Sequence, residues 1–272
     1  IRRQRQMCIR DSLYTYDLDV FGDYSLFQYI NRTSTPVGKQ HLADWFNAHL
    51  ELKESIEQRQ EAIRELSTDL EYRQQIRLFG LLYKGKPADT NEIRKWAGSP
   101  SYYRKHTLLR IIPTVVSIIN LICIGSAIVG SLPATVPGGV FFCFVIFSSI
   151  FSKGITKLQT TYGKKLQILS TYADQILLTE KKEMNSPVLQ QLKTELTSQN
   201  QTASQAVRQL SKLMNALDQR SNLLMSTILN GLIFWELRQV MRIEKWKETH
   251  ASDLPRWIET IGEIDAYCSL AT

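Results

Sequence analysis

The residue types that carry chemistry are sparse in this sequence and poorly spaced for it. His41 and His49 lie two turns apart on one predicted helix, and no carboxylate joins them to complete a metal set. The stretches "YKGKPADT" and "TYGKKLQ" hold a glycine and lysines. They lack the G-x-x-x-x-G-K-[ST] spacing by which backbone amides cradle a phosphate. G-x-S-x-G, H-E-x-x-H and G-x-G-x-x-G are absent as well. Glu61 and Glu65 alternate with Arg59 and Arg64, the pattern of a solvated helix face with weak ion pairs. The four cysteines are Cys8, Cys123, Cys143 and Cys268. They form no C-x-x-C pair, and two lie among apolar residues, where a thiol packs as a small hydrophobe. We therefore expect no catalytic, metal-binding or cofactor-binding residue in this chain, and a reducing compartment without disulfides.

Charge is the remaining signal. Lys and Arg total 33 against 26 Asp and Glu, a net +7 that suits phosphates or an anionic membrane surface. Arg2, Arg3, Arg5 and Arg10 form one basic run, and Lys153, Lys157, Lys164 and Lys165 another. Both are candidate phosphate or lipid-headgroup contacts, and the arginine run also reads as a solvated end without a partner. Between Arg110 and Lys153 there is no charged residue. Ile111–Leu132 has the length of a membrane span. Pro133, Pro137, Gly138 and Gly139 then predict a turn, and Val140–Ile155 a second apolar helix. Arg104, Lys105 and Arg110 precede the pair and the four lysines follow it, so both ends of a hairpin would stay on the cytoplasmic side. A buried hairpin or dimer surface reads the same way, and Asn120 needs a partner in lipid. Both readings of 111–152 stay open. A transporter is disfavoured, because no charged or paired polar residue marks a pathway.

The elements that must position these residues are helices. Leu18 and Val20 alternate with Asp17 and Asp19 in "SLYTYDLDVFG", which predicts a short strand. Asp23 is placed to cap a short helix carrying Leu26, Phe27 and Ile30. Thr35 is a good N-cap, Pro36 suits the first helical position, and Gly38 so early in a helix implies close backbone packing. Helices follow over "ELKESIEQRQEAIRELS" and "TDLEYRQQIRLFGLLYKG", the latter capped by Ser67, with a short one around Trp96. Ala203, Val207, Leu210, Met214, Leu217, Leu224 and Ile228 form a coiled-coil-like seam interrupted at Ser221. "SDLPRWIETIGEIDAYCSLA" is a final helix, with Ser252 or Asp253 as cap. The predicted class is mainly α: a multi-helix core domain with a short N-terminal strand, plus long lever-like helices.

The run "TSTPVGKQHLADW", with Ser25 and Leu26 before it and "RQEAI" after it, resembles the core domain of the MutS family of DNA mismatch repair ATPases. "WIETIGEIDAYCSLA" is similar to the family helix that precedes the ATPase domain. The residues that carry the resemblance are Thr35, Pro36, Gly38, Trp45, Arg59, Gln60, Asp265 and Ser269, all in structural roles. The resemblance implies a core-and-lever fragment. Residues 1–100 would be the first part of the core and 101–157 the apolar hairpin. Residues 158–230 would be levers, and 231–272 a return to the core ahead of an ATPase domain outside this chain. Its role would be mechanical linkage between that ATPase and DNA. The alternative is a membrane-anchored scaffold or dimerisation module derived from the family without mismatch recognition. By resemblance the full-length protein takes ATP and Mg, binds double-stranded DNA and dimerises through the ATPase domain. Its location is cytoplasmic, tethered to the inner membrane if 111–152 inserts. The apolar stretch stands where family members begin polar levers and a clamp.

Overall fold

The computed structural model describes residues 13–82, 87–133, 135–158, 164–197, 202–218 and 222–272. They are mainly helical. In chain order the helices are α1 (Leu13–Asp17), α2 (Leu26–Ile30), α3 (Pro36–Asn47), α4 (Lys53–Ser67), α5 (Leu70–Leu82), α6 (Pro87–Gly98) and α7 (Thr107–Ile128). Then follow α8 (Thr135–Leu158), α9 (Lys164–Lys181), α10 (Pro187–Glu195), α11 (Ala203–Asp218), α12 (Leu223–Ile233), α13 (Trp235–His250) and α14 (Leu254–Leu270). No strand occurs among the described residues; one isolated bridge pairs Thr197 with Thr202.

The strand expected in "SLYTYDLDVFG" is therefore not formed. Leu13–Asp17 is a helical turn, closed by Val20 N–H donating to the Thr15 carbonyl at 3.0 Å. Asp19 takes a φ of 47°. Val20 is buried but Leu18 is 73% exposed. Alternation makes a strand only beside a partner strand, and no described segment supplies one.

Local chemistry sets the helix starts. Thr35 Oγ1 accepts the Gly38 N–H at 3.0 Å, and Pro36 occupies the first turn, where its missing N–H has no helical partner to lose. Ser25, not Asp23, caps α2 through the Gln28 N–H. Asp69, not Ser67, caps α5 through the Tyr72 N–H at 2.9 Å. The Ser67 hydroxyl turns back to the Arg64 carbonyl. The turn expected over 133–139 is shorter, because α8 begins at Thr135 and takes Pro137, Gly138 and Gly139 into its first turns. A proline there forfeits no helical hydrogen bond. The seam ends within α11: Ala203, Val207, Leu210, Met214 and Leu217 are buried, whereas Leu224 is 77% exposed. Asn222 caps a new helix, α12, through the Met225 N–H.

The chain divides into two compact units. The first comprises Ile1–Asn91, Ile168–Arg208 and Asp253–Thr272. Its centre is α14, which packs on α3, α4, α5 and α10. Leu254, Trp257, Ile258, Ile261, Ile264 and Tyr267 are all buried, so α14 is an interior helix rather than an amphipathic one. Val20, Phe27, Leu42, Ala43 and Ala266 close one end of this core.

The second unit comprises Glu92–Gln167 and Gln209–Ser252. In it α12 and α13 each pack on both α7 and α8. Phe234 joins α12 to α13 in the left-handed region at φ 53°. That conformation is costly for a bulky residue. It is offset by burial of the ring against Phe144 and Phe147, at centroid distances of 6.2 and 5.9 Å. The Asn230 side chain accepts the Glu236 N–H, satisfying one open donor at the start of α13. Further along α13, the buried Glu244 accepts the backbone N–H groups of Tyr102, Tyr103 and Arg104 at 2.8, 3.1 and 2.7 Å. Trp96 stacks on Trp246, and burial holds the Lys247 ammonium pKa below its ordinary value.

Candidate functional site

In the segment from Asn31 to Thr35, the Asn31 N–H closes α2 on the Phe27 carbonyl and the Thr33 N–H bonds the Asn31 side chain, which leaves the N–H groups of Arg32, Ser34 and Thr35. Helix α14 supplies their acceptors from Asp265 and Ser269, one turn apart and so on one face. Ser269 Oγ accepts the Arg32 N–H at 2.7 Å and donates to the Ile30 carbonyl at 2.9 Å. Asp265 Oδ2 accepts the Ser34 N–H at 2.9 Å, the Thr35 N–H at 2.8 Å and the Thr35 hydroxyl at 2.8 Å. Oδ1 accepts the Ser34 hydroxyl at 3.1 Å. Thr35 therefore caps its own helix with the same hydroxyl that it donates to Asp265.

Close helix packing makes room for this bracket. A Cβ on Gly38 would lie 2.5 Å from Asp265 Oδ2 and 2.9 Å from Asp265 Cβ. A Cβ on Gly262 would overlap the Val37 side chain. Only glycine at both positions lets α3 and α14 approach this far.

Asp265 is 2% exposed. Burial pushes its carboxyl up to about 6, while the Thr35 and Ser34 donors pull it down. One position before Ser269, burial also raises the Cys268 thiol. Gln175 extends the network, with Nε2 donating to the Ile76 carbonyl at 2.9 Å and lying 3.4 Å from Ser34 Oγ. Beside the bracket, Trp45 packs on Tyr267 at 4.7 Å between centroids, and the Arg59 guanidinium sits 4.4 Å over the indole. His41 pairs with Glu259 at 2.9 Å.

Of the residues singled out in the sequence, Thr35, Gly38, Asp265 and Ser269 thus meet in one bracket. Pro36 shapes its helix, and Trp45 with Arg59 flanks it. Gln60 is exposed and stands outside it. Arg2, Arg3, Arg5 and Arg10 lie outside the described residues. Lys153, Lys157, Lys164 and Lys165 fall in α8 and α9, and their side chains also lie outside what is described. Sequence reasoning missed Ser34, Tyr267, Gln175 and Gly262. Gly262 left a signal, as a glycine in the interior of a helix.

Among the described residues no group of three His, Cys, Asp or Glu is fit to hold a metal ion. The acceptors of Asp265 are occupied by Ser34 and Thr35 rather than aimed at a cleft. The bracket's capacity is mechanical: it locks the start of α3 to the last turns of α14.

A family model described as MutS domain III matches residues 9–271, and the chain belongs to that family. Neither the curated proteins nor the solved structures contain a match.

Proposed function

We propose that this chain is the core-and-lever part of a MutS-like DNA mismatch repair ATPase. In this reading an ATPase domain beyond α14 binds ATP and Mg and dimerises, and its motion is passed to segments that contact double-stranded DNA. The observation that carries the reading is the Asp265 bracket. A displacement of the α14 C-terminus moves the start of α3 with it, because four donors tie the two together. Helices α9 and α11 supply the levers. In this reading the chemistry belongs to the ATPase domain and this chain transmits its motion. A second reading, a membrane-anchored scaffold of the family without DNA work, is favoured by the bare apolar surface of α7 and α8.

The test uses the full-length protein. Duplex DNA affinity should fall linearly with the logarithm of salt concentration, as phosphate contacts require. ATP should change that affinity, and Gly38→Ala should weaken the ATP effect while nucleotide binding persists. Absence of duplex binding at low salt rejects the DNA reading in favour of the scaffold.

A further inference from the structure

Helices α7 and α8 combine spanning length with an almost bare surface. The most apolar 18 residues of Thr107–Ile128 have a mean hydropathy of 2.2 with 17% of them buried, and Thr135–Ser152 has 1.8 with none buried. A core helix of such composition would be covered on all sides. Leu121 is 74% exposed, Ile128 81%, Phe142 66% and Ile146 69%.

The distribution of this exposure points to the solvent. In α7 the buried residues Pro113, Val116 and Asn120 form one narrow stripe. Ile118, Ile119, Leu121, Ile122 and Ile124 are exposed, and at 100° per residue they wrap most of the remaining circumference. A second copy or a partner helix would cover one face and leave the rest in water. Hydrocarbon solvates the whole annulus. At 1.5 Å per residue the two apolar segments are about 33 and 27 Å long, against a hydrocarbon core of about 30 Å.

Several polar groups in this region find partners within the chain, as lipid demands. Asn120 donates through Nδ2 to the carbonyls of Gly231 and Leu232, at 3.0 Å each. These are among the last carbonyls of α12, which no helical N–H reaches. Arg238 donates to the carbonyls of Ile233 and Pro113 and to Ser117 Oγ, each at 2.8 Å. Ser148 and Ser149 bond back to carbonyls of their own helix.

The flanks carry one sign. The sequence has no Asp or Glu between Glu92 and Asp174, while Arg104, Lys105, Arg110, Lys153, Lys157, Lys164 and Lys165 border the two helices. Anionic headgroups suit such a border.

We propose that α7 and α8 form a hairpin embedded in a lipid bilayer, with both ends on the same face. This placement does not depend on the DNA reading. The test uses the full-length protein and phosphatidylcholine vesicles containing a minority of phosphatidylglycerol. The protein should float with the vesicles and stay bound after a high-salt wash. In a variant whose sole cysteine is Cys143, a membrane-impermeant maleimide should react at least about tenfold more slowly in vesicles than after detergent is added. Replacing the exposed residues by Ile122→Lys, Phe142→Lys and Ile146→Lys should keep the helical circular dichroism and abolish flotation. A protein that stays monodisperse in the aqueous fraction overturns the proposal. So does a detergent-free dimer that shields Cys143 without floating, or a triple variant that floats like the parent.

Discussion

Asp265 grips Ser34 across 231 residues of chain, through both the backbone N–H and the hydroxyl of the serine. The contact converts an extended entry segment into part of the core. It also places a carboxylate where water does not reach, so the bracket is sensitive to any change in its donors or its charge.

Gly38→Ala should destabilise the first unit by about 1–3 kcal/mol, the usual range for overpacking. The new methyl would meet Asp265 at Cβ and Oδ2, neither of which can retreat without breaking the bracket. Urea unfolding checks this, as a lowered midpoint with an unchanged slope. An unchanged midpoint would refute the close approach of α3 and α14.

Asp265→Asn offers the Ser34 and Thr35 donors only one acceptor oxygen. At about pH 5 it should cost about 1–3 kcal/mol. The pH dependence has a defined sign. The folded carboxyl sits near 6, above its ordinary 3.8, so the folded state holds the proton longer. The stabilisation from that proton is complete below about pH 4 and is lost as pH rises through about 6, a change on the order of 3 kcal/mol. The stability gap between parent and variant should narrow over that interval. Denaturation midpoints measured in parallel cancel the other titrating groups. A gap that widens would refute the sign.

Legibility in the sequence followed the range of the interaction. Thr35 and Pro36 shape the start of their own helix, so residue type and spacing revealed the cap, and Gly38 signalled close packing without naming Asp265 as its partner. Asp265 acts on a segment hundreds of positions away, and only the family resemblance marked it. Ser34 lies inside the run "TSTPVGKQHLADW" but nothing in its type or spacing marks its partner, and Gln175 carries no motif at all. The misplaced strand at Leu18 and Val20 has the opposite cause: a two-residue alternation is a local signal whose meaning depends on a distant partner. The seam failed at Leu224 because spacing in threes and fours cannot distinguish a continuing helix from one that restarts after a break.

Glu244→Ala should cost about 2–4 kcal/mol in the second unit, since it leaves three backbone donors without their charged acceptor. Glu244→Gln should recover part of the loss, because its amide oxygen still accepts. Hydrogen exchange at Tyr102, Tyr103 and Arg104 reports the effect residue by residue, and unchanged protection in the alanine variant would refute the role.

Asn120→Ala should leave the carbonyls of Gly231 and Leu232 without the side-chain donor they now share, at a cost of about 1–3 kcal/mol. Thermal unfolding in detergent micelles should show the loss. Asn120→Leu, which adds apolar volume but no donor, should not restore it. Full restoration by leucine would show that Asn120 packs rather than bonds.

The meeting of Gly38 and Gly262 has a further consequence for how this chain can change. Everything between the two glycines leaves from one closed clasp and returns to it. The clasp has no means of sensing how long the excursion is, and the entropy of closing a loop grows only with the logarithm of its length. Lengthening, trimming or exchanging the part of that excursion that belongs to the second unit would therefore leave the joint itself intact. An apolar hairpin such as α7 and α8 can thus be carried within the excursion without altering the joint that ties α3 to α14.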